Sequence, residues 1–497
     1  MKIVTKHNLF LIIMIFLYVA ITIFCIIWEF NPYLWFDEAG QFWIAKGLNH
    51  DSDALSPSGT ILDVIENNKH YNLDPGGFGI ILHLWSCVSN HYIWLRMLPF
   101  IFFGGIVYVF YYLAYHWTHN KNITLLVSLF PLISSVLFPM AFEVRAYSME
   151  ALGVTLSVVA LTSLRQKVSL TNLLKWSVVL SFFMLSRYSF IIVAFFASLY
   201  VLFLILTSAE STRKKVVQCI VYALPFLITL VYIYFAALRY QNPDIEPLSY
   251  LKDSYLIYNP NKLKWDNNFI YILFLIGLSY LWFISWKIQR LNKYAPLLYL
   301  TVSVNIIFLI LSLMGKHPWD IQSNRCISMI TLSLLIIAML CAELICRIDR
   351  VVDIKYLLLF LFVLYFGNTN RKVFKPRNDT LLQISHVDLY DKKIYADRWE
   401  SPCLRYQIEY GILKGKIKDY PNNYYAQKGQ KHGKGIGKEN NLPSEEWRRM
   451  QPALNQLVNY DILFVPELSQ YKQEECSFWE PIDSTKAIVW IKKPIEN

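Results

Sequence analysis

The stretch IIMIFLYVAITIFCIIW, residues 12–28, contains no charge, no proline and no glycine. Wound as a helix, and with its flanking residues, it is long enough to cross a hydrocarbon core about 30 Å thick. Residues 98–117 and 329–341 repeat the pattern, again without a formal charge. Of the 497 residues, 55% are hydrophobic, 16% aromatic and only 17% charged. A soluble domain of this size carries about a quarter charged residues. In lipid, only helices and closed barrels satisfy every backbone polar group internally. Uninterrupted apolar runs of this kind predict helices, hence a polytopic α-helical membrane protein.

The formal net charge of +11 raises nucleic acid as a partner, but no recognisable reading module is present and none is expected. The Lys and Arg residues gather instead in short loops, as the positive-inside rule requires. Trp28, Trp35, Trp94, Trp117 and Trp319 lie near expected helix ends, where interfacial aromatic belts form. Lys2 and Lys6 precede the first apolar run as they would in a signal peptide, yet that run is too long for a signal core. No small-residue cleavage site follows it, so it reads as a retained first span. The eight cysteines show no metal-ligand spacing.

The apolar pattern predicts about eleven spans, at residues 8–29, 97–117, 122–142, 146–164, 173–186, 189–208, 216–235, 269–286, 294–314, 326–346 and 354–368. With the N-terminus cytoplasmic, every second gap carries the cations: Lys121; Arg165, Lys167 and Lys175; Arg213, Lys214 and Lys215; Lys287, Arg290 and Lys293; Arg347, Arg350 and Lys355. The C-terminus is then extracytoplasmic, and the expected location is a cell (inner, cytoplasmic) membrane. A reporter fused after Lys375 should be active only outside the cytoplasm, and one fused after Gln289 only inside. Two reporters on one side would refute the eleven-span topology.

Residues 76–89 are apolar but too short for a span, and counting them as one would reverse every later loop. They are expected to form an interfacial helix, with residues 37–49 as a second surface helix. Residues 31–96 thus make one long outer loop, and loops of that size in compact proteins are usually functional. Residues 1–369 form the expected membrane domain. From residue 370 the chain turns polar, and residues 370–497 read as a small extracytoplasmic α/β domain. Strands are expected at 460–468 and 487–492, a helix at 444–458, and a solvated Gly-rich basic loop at 428–440. Cys403 and Cys476 are the only cysteines of this tail, and an oxidising exterior would permit their pairing.

The sharpest chemical feature is Trp35-Phe36-Asp37-Glu38-Ala39, just past the first span. A carboxylate partly desolvated at the membrane boundary gains proton affinity and can serve as a general base. Outer loops carry charges for solubility as well, so position alone decides nothing. Asp74-Pro75-Gly76-Gly77 reads first as a turn opening a helix. Glu143-Val144-Arg145-Ala146-Tyr147 sits at the outer end of the expected third span, where a helix dipole favours Glu143 regardless of function. Arg187, Lys316, His317 and Arg325 are outer-face cations. Singly each suits snorkelling to the interface; together they suit a phosphate or pyrophosphate head group.

In this order the motifs resemble the GT-C superfamily of glycosyltransferases, in particular the protein O-mannosyltransferases and the bacterial lipid A aminoarabinose transferase. Those proteins have an Asp-Glu or lone Asp after the first span, then a His-Pro-Pro-Leu-like segment, a Leu-Arg-Leu-Pro-like entry to the second span, an outer Glu-Ala-Arg-Pro-Tyr-like motif and a late outer Arg-Tyr. The counterparts here are Asp37-Glu38, Asp74-Pro75-Gly76-Gly77, Leu95-Arg96-Met97-Leu98-Pro99, Glu143-Val144-Arg145-Ala146-Tyr147 and Arg325-Cys326. The resemblance covers about residues 8–365. Asp74 stands where the family has His or Lys, with Lys69 and His70 as nearby basic groups. Ala146 replaces a Pro and Cys326 a Tyr, and the tail has no counterpart.

The resemblance implies a GT-C-like fold and a sugar donor linked to a polyprenyl phosphate. It implies transfer, with inversion, to an extracytoplasmic glycan, lipid or protein, with membrane lipids as surroundings; no cofactor is expected, no metal-ligand pattern is visible, and this mechanism needs no metal. Asp37 would be the base, with Glu38 and Glu143 as further catalytic candidates that orient the acceptor or the sugar. Arg145, Tyr147, Arg187, Arg325, His70 and Asp74 would bind substrate. A transporter or flippase of lipid-linked saccharides would show the same spans and head-group site. An assembly protein using its tail as a binding module is the third reading.

Overall fold

The structure is a computed structural model describing residues 6–49, 52–71, 74–240, 255–257, 267–285, 287–288, 292–320, 323–348, 354–373, 388–396, 401–426, 459–464, 479–481 and 489–492. Its helices are α1 (Lys6–Trp28), α2 (Phe36–Ala45), α3 (Ile61–Tyr71), α4 (Gly77–Ser86), α5 (Tyr92–Thr118), α6 (Lys121–Val127), α7 (Leu137–Met140) and α8 (Tyr147–Gln166). There follow α9 (Leu170–Met184), α10 (Tyr188–Thr207), α11 (Thr212–Ala236), α12 (Asn267–Ser285), α13 (Ala295–Leu313), α14 (Ile327–Ile348), α15 (Lys355–Val373) and α16 (Ser401–Glu409).

The protein is a polytopic helical membrane protein. Among the described residues seven helices are long and apolar enough to span a bilayer: α1, α5, α8, α10, α11, α13 and α14. The apolar portions of α9, α12 and α15 are shorter. Residues 122–142, expected as one span, are instead broken into α6, a 3₁₀ turn over Phe130–Ile133, and α7. Pro131 opens the turn, Ser134 leaves it with extended backbone, and the Ser134 hydroxyl then accepts the Leu137 N–H at 3.1 Å. Proline removes a ladder donor and clashes with the preceding turn, so two of them eight residues apart interrupt the helix.

The chain divides into two compact units. The first comprises residues 1–27, 99–235 and 244–374. Its central helix is α8, which packs against α9, α10 and α14. Small residues allow that: Ser148, Ala151, Gly153, Ser157 and Ala160 are all buried. A methyl group on Gly153 would stand 2.7 Å from Phe183 Cβ, so α9 approaches α8 at backbone distance there. By contrast α1 presents Phe16, Ile27 and Ile15 outward, as a lipid-facing helix does.

The second unit comprises residues 28–98, 236–243 and 375–497, so the outer loop groups with the tail rather than with the membrane helices. The expected short helices at 37–49 and 76–89 are present as α2 and α4, and α3 packs against both. The tail carries a mixed five-stranded sheet ordered β2-β1-β3-β5-β4, with β1 at Ile394–Ala396, β2 at Tyr424–Ala426, β3 at Ile462–Phe464, β4 at Trp479–Pro481 and β5 at Val489–Lys492. β1 runs parallel to β2 and β3, while β5 is antiparallel to β3 and β4. The expected strands at 460–468 and 487–492 are thus β3 and β5. The expected helix at 444–458, the basic loop at 428–440 and Cys476, hence its pairing with Cys403, lie outside the described residues.

Helix α16 joins tail and loop. Trp43 Nε1 donates to Pro402 O at 3.0 Å, Gln407 Nε2 to Pro32 O at 2.7 Å, and Tyr406 OH to Asn90 O at 2.9 Å. The Arg405 guanidinium lies 4.0 Å from the Trp43 ring and donates to Ser52 O and Asp53 O. Phe42 meets Tyr406 and Tyr410 edge-on. The apolar face of α2 is therefore covered by the tail, which gives its aromatic side chains a protein surface to pack against.

Candidate functional site

The candidate residues fall in both units. In the second, α1 ends at Trp28 and the chain turns through Asn31 and Tyr33 into α2. Glu38 is only 2% exposed and Arg96, in the second turn of α5, only 4%. Arg96 Nη1 donates to Glu38 Oε1 at 2.6 Å and Nη2 to Oε2 at 3.2 Å. The same guanidinium donates to Asn31 O at 2.8 Å and to Tyr33 O at 2.6 Å. Glu38 Oε2 also accepts the Trp35 N–H at 3.2 Å, the reach-back of a capping box. Both Glu38 oxygens are thus engaged in holding the entry to α2. That gives Glu38 a structural role.

Asp37 occupies the same first turn, half-buried. Adjacent residues on a helix point about 100° apart, so Asp37 does not share the direction of Glu38. Glu29 stands one residue past α1, and its Oε1 is buried without a hydrogen-bond partner. Burial pushes the Glu29 carboxyl up to about 8, with the Arg96 charge offsetting part of the effect.

Asp74 is half-buried in the turn before α4, and its carbonyl accepts from Asn68 Nδ2 at 2.8 Å. Gly76 there takes φ +89°, the left-handed conformation that glycine adopts without strain. His70 lies on α3, and its side chain is outside what the structure describes. Lys69 pairs with Glu66 and lies 5.4 Å from the Tyr240 ring. Trp85 and Trp94 stack at 4.2 Å, each indole N–H donating to the other's carbonyl, which fastens α4 to the start of α5.

In the first unit Tyr147 opens α8, 5% exposed. The guanidinium of Arg187 lies 4.5 Å from its ring and that of Arg145 5.6 Å, so two cations share one aromatic ring. Asn324 Nδ2 donates to Tyr147 OH at 3.1 Å, and Arg187 Nη1 donates to Asn324 O at 3.2 Å. Beneath Arg187 is Glu150, fully buried, which pairs with it at 3.3 Å and accepts from the hydroxyls of Ser189 at 2.6 Å and Ser328 at 2.5 Å. Glu150 thereby ties α8, α10 and α14 together.

Arg325 is half-buried in a 3₁₀ turn over Asn324–Cys326, its N–H bound to Ser323 Oγ. Glu143, 6% exposed, and Arg145 lie between α7 and α8, and the Arg145 N–H donates to Glu143 O at 2.6 Å. His317, expected as a cation, is not one. Burial pushes its imidazole down to about 4, and the nearby charges of Arg187 and Arg325 push the same way. Lys316 is exposed.

The first unit therefore brings together Arg145, Tyr147 and Arg187 directly, with Arg325 close enough to act on His317. The second unit holds Asp37, Glu38 and Asp74. Sequence reasoning missed Glu150 and Asn324, and gave Arg96 and Glu29 no part. Glu29 was visible as a charge at the end of the first run; Glu150 looked like an ordinary first-turn acid. Among the described residues no three His, Cys, Asp or Glu side chains converge as a metal site needs. Neither the known protein-family models nor the curated proteins include a match to this chain.

Proposed function

We propose that this chain is a membrane glycosyltransferase of GT-C type, crossing a cell membrane eleven times with its C-terminus extracytoplasmic. It moves a sugar from a polyprenyl-phosphate donor to an extracytoplasmic glycan, lipid or protein, with inversion. The observation that carries the reading is the pair of guanidiniums on Tyr147, with Arg325 nearby and Glu150 anchoring Arg187 from below. Two guanidiniums on one aromatic ring are a donor set suited to the oxygens of a phosphate group.

The acceptor oxygen attacks the anomeric carbon while the bond from that carbon to the phosphate oxygen breaks. The leaving group takes the electron pair and becomes a phosphate monoester, gaining one negative charge. Cations that hold it bind the departing group more strongly than the donor, which is transition-state stabilisation rather than uniform binding. No general acid is required. The acceptor hydroxyl gives up its proton to a base, the role that the family resemblance implies for Asp37. Glu38 is assigned to holding the loop.

The transporter reading expects ionisable groups or broken helices near mid-membrane. The break in residues 122–142 matches the second of these, but that stretch carries no ionisable group. In α8, α11 and α14 the charged residues lie towards the ends: Glu150 and Arg165, Arg213 to Lys215, Glu343 and Arg347. That distribution favours chemistry at an interface.

The test is transfer of radiolabel from short polyprenyl-phosphate monosaccharides by the full chain in proteoliposomes, with envelope membranes from cells lacking the gene as acceptor. Label appearing in an envelope acceptor with this chain alone supports the reading. No transfer with any donor, but donor exchange across the bilayer, would replace it with the transporter. Arg145→Gln leaves the Glu150–Arg187 pair intact. It should weaken binding of farnesyl phosphate about tenfold, the worth of one charge-assisted contact.

A further inference from the structure

His317 stands beside two cations yet is not built to be a third. Its Nδ1 lies 2.7 Å from Pro318 O, and a carbonyl oxygen only accepts, so Nδ1 carries the hydrogen. The ring edge meets Phe308 at 4.5 Å, which fixes its plane, and part of the ring stays accessible. With its ordinary proton affinity lost to burial, the imidazole is neutral at physiological pH. Nε2 is then a bare lone pair with no hydrogen-bond partner among the described residues. The charges that act on it include those of Arg187 and Arg325, and Arg187 is itself paired with Glu150.

A phosphate oxygen carries lone pairs of its own and is repelled by such an acceptor. A hydroxyl is attracted. Resting on the glycosyltransferase reading, we infer that His317 is a specificity-determining residue. Its Nε2 accepts a hydrogen bond from a hydroxyl of the sugar whose phosphate Arg187 and Arg325 hold. The site would then take a phosphodiester carrying a hydroxylated substituent, and this one hydrogen bond is made only to the glycosylated lipid phosphate.

Two substitutions separate the ring's two nitrogens. His317→Asn keeps an amide N–H where Nδ1 donates to Pro318 and removes the acceptor. His317→Gln places an amide oxygen near the position of Nε2. Binding is measured to the full chain in nanodiscs with three probes: farnesyl phosphate, a set of farnesyl-phosphate monosaccharides, and phosphatidylglycerol, a phosphodiester with hydroxyls but no sugar.

His317→Asn should bind the tightest glycosylated probe roughly 3- to 10-fold more weakly, the worth of one hydrogen bond. Farnesyl phosphate should change by less than about twofold, and His317→Gln should recover most of the loss. Equal losses on farnesyl phosphate and its glycosides, or no loss on either, overturn the inference and leave the functional reading standing. An equal loss on phosphatidylglycerol overturns the assignment to sugar. Wild-type protein that binds no phosphate probe overturns the functional reading, and this inference with it.

Discussion

Replacing Arg96 with methionine should destabilise the second unit by about 3–5 kcal/mol, the cost of stranding one partner of a buried pair. The Glu38 carboxylate would remain at 2% exposure with its charge uncompensated. The carbonyls of Asn31 and Tyr33 would lose their donors at 2.8 and 2.6 Å. A double variant, Glu38→Gln with Arg96→Met, should recover a large part of the loss, because a neutral amide leaves no buried charge. The two residues touch, so their effects should be strongly non-additive. Limited proteolysis of the loop and thermal melts in detergent measure both variants. A single variant within about 1 kcal/mol of wild type would show that the pair does not hold the loop, since surface ion pairs are worth only that much.

Arg96 also illustrates what was legible beforehand. Its motif, Leu95 to Pro99, was visible in the sequence, but nothing local says that residue 96 reaches back to residue 38. The membrane class was legible because uninterrupted apolar runs can be satisfied in lipid only as helices. Helices α2 and α4 were legible from their apolar content and length. Helix α3 was not, because its sequence ILDVIENNKHY is polar enough to pass for loop and buries little beyond Val64 and Asn68.

The break in residues 122–142 was hidden for a different reason. Pro99 and Pro225 both remain inside continuous helices, so proline alone does not announce an interruption. Pro131 and Pro139, with Ser134 between them, together produce one. Glu150 was invisible because its partners, Ser189 and Ser328, are 39 and 178 positions away. His317 was misread as a cation because protonation depends on burial, which no single residue displays. The tail was read as separate because its contacts to the loop, such as Gln407 to Pro32, span 375 positions.

Asp37→Asn should lower sugar transfer roughly 10²-fold or more, the usual worth of a general base. Asn keeps the size and polarity of the side chain and is itself well suited to a helix N-terminus. The carboxylate in the first turn of α2 also interacts with the helix dipole, but that term is only about 0.3–1 kcal/mol. A hundredfold loss of rate corresponds to about 2.7 kcal/mol in the barrier. The two magnitudes separate a catalytic effect from a structural one: turnover should collapse while the thermal melt barely moves. Affinity for farnesyl phosphate should persist, because the phosphate contacts are assigned to arginines. Glu143→Gln should also impair transfer, though less, since a carboxylate just before α8 has a favourable helix-dipole role of its own. Near-normal turnover by the Asp37→Asn protein would remove Asp37 as the base. The search would then pass to Glu29, whose buried oxygen lies one residue beyond the first span and whose proton affinity is raised.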